Sequence, residues 1–125
     1  MALDEQVVKK LIEKNFHISF AESCTGGMCC GTIVNVANAS KVLDVSFVTY
    51  ANEAKIEFLG VKADTILSNG VVSEEVAYEM EQGVANVLLR LLCKRQNGDL
   101  YLPFWRNRAQ SSPQIKRGVC YGKAS

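Results

Sequence analysis

Arginine is missing from the first 87 residues of this 125-residue chain. Histidine occurs once (His17), tryptophan once (Trp105), and both prolines (Pro103, Pro113) fall late. A single histidine leaves little on which to build a Ser-His-Asp triad or a histidine-based metal site, and no metal or cofactor is expected. For His17 a solvent-facing loop position is the expected role. No apolar run approaches the roughly 20 residues of a membrane-spanning helix. The five cysteines, Cys24, Cys29, Cys30, Cys93 and Cys120, contain no C-x-x-C pair. Their odd number, and two neighbours that would point apart on one helix, favour reduced thiols acting as small apolar residues over zinc ligands or disulfides. Neither G-x-x-x-x-G-K-[ST] nor G-x-S-x-G occurs, which removes the P-loop and disfavours the α/β-hydrolase nucleophile elbow. The acidic start, Met1-Ala2-Leu3-Asp4-Glu5, lacks the basic-then-apolar order of a signal peptide, so a cytoplasmic protein is expected.

What is present describes an ordinary globular chain, with 48% hydrophobic residues and a net charge of +1. The length suits one domain with a substantial core. The charge is divided sharply. Residues 1–87 hold six lysines and twelve acids, whereas residues 88–125 hold five arginines, three lysines and only Asp99 as an acid. The break separates residues 1–92, read as the domain, from residues 93–125, read as an atypical basic tail that is poorly ordered from about residue 105. An RNA-binding role for Arg106, Arg108, Lys116 and Arg117, with Trp105 stacking, ranks below a tail without function, because these residues form neither a helix face nor a recognised module.

Periodicity in the first part alternates. Leu3, Val7, Val8, Leu11 and Ile12 make a helical stripe, with Asp4 and Glu5 in its first turn and Lys14 in its last. Ile18–Ala21 reads as a buried strand, and Thr25 to about Val36 as a helix of small residues. Asp44–Tyr50 is β-branched and aromatic, hence a second strand. Asn52 is placed to cap a short helix ending at Gly60, and Ala63–Ser68 suits one more helical turn. Ser73 caps a longer helix with Glu74 and Glu75 in its first turn and Val76, Met80, Val84, Val87 and Leu91 on one face. Strands alternating with helices predict an α/β fold, a three-layer α/β/α sandwich with a mainly parallel sheet.

The densest chemistry lies in Ala21-Glu22-Ser23-Cys24-Thr25-Gly26-Gly27. Two hydroxyls and a thiol precede a Gly-Gly pair between a strand and a helix. Such a turn sets nucleophilic side chains and backbone N–H groups at the positive end of a helix, where an anion or a developing oxyanion is favoured.

Three blocks together resemble the CinA C-terminal domain family, the nicotinamide-mononucleotide amidases. They are the turn itself, Thr49-Tyr50-Ala51-Asn52-Glu53-Ala54-Lys55 followed by Leu59-Gly60-Val61, and Gly70-Val71-Val72-Ser73-Glu74-Glu75-Val76-Ala77. Asn38-Ala39-Ser40 stands where the family has a Gly-Ala-Ser turn. The resemblance covers about residues 3–87. The family continues with a strand, a Ser/Thr-Gly-x-x-Gly-Pro loop and a Lys-Pro-x-Gly segment, none of which is present here. Shifting the reading frame of the codons for Phe104–Ala109 by one nucleotide permits a loop of that kind, so the tail is read as a frameshifted product of a truncated relative. Sequencing the gene around the codons for residues 86–92 decides this.

The resemblance implies hydrolysis of the carboxamide of nicotinamide mononucleotide to nicotinic acid mononucleotide and ammonia. Taken alone, Ser23 suits a helix cap and Lys55 a solvated surface position; the resemblance turns both towards a site. Ser23 becomes the nucleophile and Lys55 its base, the latter needing a depressed pKa. Tyr50, at the end of a strand leading into a helix, relays a proton, orients substrate, or is a half-buried core tyrosine. Thr25 with the Gly26 and Gly27 N–H groups binds phosphate or the oxyanion, or Thr25 simply caps. Glu22 orients Lys55 or a ribose hydroxyl, or forms an ion pair. Ser40 joins the substrate-binding set, and Cys24 ranks below Ser23 as nucleophile. Relatives of this kind self-associate, so a homo-oligomer is expected beside the small-molecule nucleotide substrate. Loss of the family's glycine-rich loop and strand predicts weak or no turnover and a tendency to aggregate through an open sheet edge. The rival class is a non-catalytic nucleotide-binding or assembly module.

Overall fold

The computed structural model describes residues 1–97, with side chains described as far as Leu92. The expectations for the basic tail, including its order and any RNA contact, lie outside the described residues. The elements run α1 (Leu3–Lys14), β1 (Ala21–Glu22), α2 (Met28–Val34), a 3₁₀ turn (Ala39–Lys41), β2 (Phe47–Val48), α3 (Asn52–Leu59), α4 (Ala63–Asn69) and α5 (Glu74–Asn97). The fold is α/β around a small parallel sheet, as the alternation of elements predicts.

β1 pairs with β2 in parallel, Ala21 opposite Phe47 and Glu22 opposite Val48. A further parallel bridge joins Ile18 to Leu43. Parallel neighbours require a crossover, and α2 with the 3₁₀ turn supplies it. Successive residues of a strand face opposite sides, and two cores follow. Phe20 joins Val8, Ile33, Ala39 and Val42 beneath α1 and α2. Ala21 and Phe47 pack with Leu59, Val61, Val76, Met80 and Val84 beneath α3, α4 and α5. The sheet is therefore the middle layer of three.

Several local expectations shift. The first ladder is centred on Ala21–Glu22 rather than Ile18–Ala21, and the second is confined to Phe47–Val48. A strand lasts only as long as its partner runs beside it, and residue composition cannot report that. α2 starts at Met28 rather than Thr25 because Gly26 (φ 62) and Gly27 (φ 97) hold left-handed backbone. Asn52 is the first helical residue of α3; the cap position belongs to Ala51, with no side-chain hydrogen bond. Asn38, where the resembled family carries glycine, adopts φ 67, a conformation that asparagine tolerates better than other non-glycine residues. On α5 the buried stripe is Val76, Met80, Val84 and Leu88, while Leu91 is exposed. At 3.6 residues per turn a spacing of four drifts about 40° per step, so the buried stripe slants around α5 and Leu88 takes the place assigned to Val87.

His17 does not face solvent. Its Nδ1 lies 2.5 Å from Oδ2 of the buried Asp44. The contact ties the two chain segments together at the end of the sheet opposite Ser23. Ser73 behaves as expected, its Oγ accepting from the Val76 N–H at 3.3 Å.

Candidate active site

Open α/β sheets place ligands beyond the carboxyl ends of their strands, and the described structure gathers its reactive groups there. Ser23 follows β1 directly. The turn after it is closed by hydrogen bonds from the Gly26 N–H to the Ser23 carbonyl and from the Met28 N–H to the Thr25 carbonyl, both 3.1 Å. Gly27 lies against Val48, so that a Cβ there would stand 3.3 Å from Val48 Cγ2. The glycine thus meets two demands at once, a left-handed φ and a close approach to β2.

Lys55 is one of the most buried side chains, only 2% exposed. Its Nζ donates to Ser23 Oγ at 3.1 Å, to the Thr49 carbonyl at 2.5 Å and to the Tyr50 carbonyl at 3.1 Å. Three acceptors match the three protons of an ammonium group. Burial pushes the Lys55 pKa below the ordinary lysine value, and the nearby Cys24 thiol pulls the other way. Once deprotonated, the amine can keep its two N–H groups on the Thr49 and Tyr50 carbonyls and turn its lone pair to the Ser23 hydroxyl, the arrangement of a general base and a nucleophile. The structure brings this amine and this hydroxyl, 32 positions apart in sequence, within hydrogen-bonding distance.

A pH dependence follows from the direction of that shift. The amine accepts a proton only after losing one, so turnover should rise with pH through the Lys55 titration. The rising limb should lie below the pH at which a free lysine titrates, and Lys55→Arg should abolish it, since a guanidinium does not deprotonate in proteins. Initial rates across a buffer series check this.

Glu22 has no exposed surface. Its Oε1 accepts from Thr25 Oγ1 at 2.8 Å and from the Cys29 N–H at 2.9 Å, and its Oε2 accepts from the Cys30 N–H at 3.1 Å. Burial pushes the carboxyl pKa up, but the donors around it outweigh burial and hold it below the ordinary carboxylate value. Among the described residues, no hydrogen bond or ion pair links the Glu22 carboxylate to Lys55; its partners are Thr25, Cys29 and Cys30. It caps α2 with its own charge, and the N–H groups of Cys29 and Cys30 are spent on it.

The remaining candidates separate. Tyr50 contributes its carbonyl, and the residue is 76% exposed, which is not the half-buried core setting considered for it. Thr25 turns its hydroxyl onto Glu22. Ser40 lies exposed on the 3₁₀ turn, and no hydrogen bond among the described residues links it to Ser23 or Lys55. Cys24 is exposed and follows Ser23 directly in the chain. Sequence reasoning missed Thr49, a buried residue whose N–H donates to the Glu22 carbonyl at 2.9 Å and whose own carbonyl holds Lys55. It acts through its backbone, which no side-chain pattern reveals. Among the described residues, no group of three or more His, Cys, Asp or Glu side chains could hold a metal ion, and no helix is long and apolar enough to cross a membrane.

Comparison with known proteins identifies the family of this chain. The CinA C-terminal domain matches residues 1–89, and the chain belongs to that family. It is 49% identical over 87 residues to a protein of Caldicellulosiruptor saccharolyticus described as competence-damage inducible, a match covering 70% of this chain and 21% of the relative. A CinA-like protein of Fervidobacterium nodosum is 46% identical over 91 residues, covering 69% and 22%. Among solved structures, a CinA superfamily protein from Klebsiella pneumoniae aligns with a TM-score of 0.67 at 32% identity, covering 69% of this chain and 54% of that one. One from Escherichia coli aligns at 0.63 and 32%, covering 65% and 47%. The chain thus spans about a fifth of the length of these sequence relatives and about half of these solved chains.

Proposed function

We propose that this chain carries the hydrolytic site of a nicotinamide-mononucleotide amidase, converting the carboxamide to nicotinic acid mononucleotide with release of ammonia. The observation that carries this reading is the buried Lys55 amine 3.1 Å from Ser23 Oγ; the substrate comes from the family resemblance. Ser23 Oγ attacks the amide carbon and passes its proton to Lys55 Nζ. The tetrahedral intermediate collapses as Lys55 returns that proton to the departing ammonia, leaving an ester on Ser23. Water, deprotonated by Lys55, then cleaves the ester and restores the hydroxyl. The balance is one water consumed per carboxylic acid and ammonia formed.

The Gly26 N–H is committed to the Ser23 carbonyl and the Thr25 hydroxyl to Glu22. The Gly27 N–H is accordingly the turn donor assigned to the developing oxyanion. The exposed Tyr50, whose carbonyl holds Lys55, is the residue we assign to orient the planar substrate.

Titration with nicotinamide mononucleotide by calorimetry, with product analysis on the same sample, tests the proposal. Binding with ammonia and nicotinic acid mononucleotide is expected, at low turnover, because the match to the relatives ends before their glycine-rich loop. Binding with no product favours the non-catalytic nucleotide-binding module instead.

A further inference from the structure

We infer that Glu22 is a positioning residue for the Ser23–Lys55 pair, holding the serine through its side chain and the lysine cradle through its backbone. The inference rests on the Ser–Lys reading above and adds a residue that touches no substrate. Three observations meet on Glu22. Its carboxylate reaches forward across Ser23, taking the Thr25 hydroxyl and the N–H groups of Cys29 and Cys30. Those contacts span three, seven and eight positions, so the turn carrying Ser23 is fastened before and after the nucleophile. Its carbonyl, in the same residue, accepts the Thr49 N–H at 2.9 Å, and the Thr49 carbonyl accepts Lys55 Nζ. One residue therefore sets the nucleophile's turn on one side and the base's acceptor on the other.

The side chain can do this because of where the strand puts it. Glu22 lies two positions from Phe20, on the sheet face covered by α2, and is wholly buried there. A buried carboxylate satisfied by several donors gives charge-assisted, geometrically strict hydrogen bonds. Its release would let the turn drift, and a displacement of about 1 Å between reacting groups costs on the order of 100-fold in rate.

The test reads Ser23 itself, without the proposed substrate. Phenylmethanesulfonyl fluoride labels a serine whose neighbour takes its proton as fluoride leaves, and mass spectrometry locates the label. In the wild-type protein, labelling of Ser23 should rise with pH as Lys55 loses its proton. Glu22→Gln keeps the volume but sets an NH₂ against the donors. Labelling and kcat should fall together by about 100-fold, KM should stay within about 2-fold, and the pH dependence of labelling should flatten towards that of Lys55→Met. A merely structural role would lower the melting temperature and leave the pH profile of the folded molecules unchanged. Thr25→Val removes one donor and covers the case in which Glu22→Gln does not fold; about a 10-fold loss of labelling is expected.

Unchanged labelling and pH profile in a folded Glu22→Gln, or in Thr25→Val if the former does not fold, overturn the inference. Wild-type labelling at Ser23 that responds to Glu22→Gln, with no ammonia from nicotinamide mononucleotide, sinks the substrate assignment and leaves the positioning role standing. Absence of Lys55-dependent labelling at Ser23 in the wild type overturns both.

Discussion

Ser23→Ala and Lys55→Met should each lower ammonia release by at least about 1,000-fold, to the assay background, while both proteins remain folded. Removing the serine removes the atom proposed to form the acyl intermediate. Removing the amine takes away the proton acceptor, and a positioned general base alone contributes about 100- to 10,000-fold. The double variant should be no worse than either single one, because residues acting as one unit are strongly non-additive. The structural cost of Lys55→Met is expected to be about 1–3 kcal/mol, set by the buried Thr49 carbonyl that loses its donor. The methionine refills the volume, and the charge removed was one that burial already disfavours. The carbonyls of Thr49 and Tyr50 lose their shared donor, but Tyr50 is exposed and can turn to water. Circular dichroism and thermal melts beside the ammonia assay separate loss of chemistry from loss of fold. Robust turnover in either variant contradicts the assigned roles.

The second large effect lies outside the site. Gly83→Ala should destabilise the domain, although alanine is the better helix former by about 1 kcal/mol. A Cβ at Gly83 would stand 2.0 Å from the Leu59 carbonyl oxygen and 2.7 Å from the Leu59 carbonyl carbon and Cα. These are backbone atoms at the end of α3, so no rotamer change relieves the overlap. α3 and α5 would have to move apart, opening the core of Leu59, Val61, Val76, Met80 and Val84. Overpacking of this kind costs typically 1–3 kcal/mol and occasionally more. With backbone as the obstacle, a net loss of at least about 2 kcal/mol remains after the propensity gain. Urea unfolding at constant m-value measures it. Because α3 carries Lys55, the variant should also weaken Ser23 labelling in the molecules that remain folded.

The two predictions differ in how far the sequence announces them. The helix of Leu3–Lys14 was readable at both ends, because an apolar stripe, acids in the first turn and a terminal lysine all act locally. The Ser73 cap was readable for the same reason. The layer order followed from strands alternating with helices. Burial of Lys55 was not readable from the residues themselves. A lysine in a short helix is ordinarily solvated, and this one is enclosed by the end of β2 and by a serine 32 residues earlier. Only the family resemblance pointed to it. Glu22 stands out in the turn motif, but its partners do not. The alternation from Phe20 already aims it under α2, where a carboxylate has helix donors to meet rather than a lysine. Gly83 drew no notice, since an isolated helical glycine leaves its reason in the neighbouring element.

Only two residue pairs form the continuous β1–β2 ladder, yet that ladder measures out the distance on which the chemistry depends. Ser23 leaves the end of one strand and Lys55 is held by carbonyls just past the end of the other. Sliding one strand by a single residue would carry the hydroxyl about 3.3 Å along the axis, more than a hydrogen bond can stretch. The alignment of a four-residue sheet is thus a ruler for the proposed Ser23–Lys55 pair, and on that proposal any misfolded form with slipped strands would be inert even if every helix were intact.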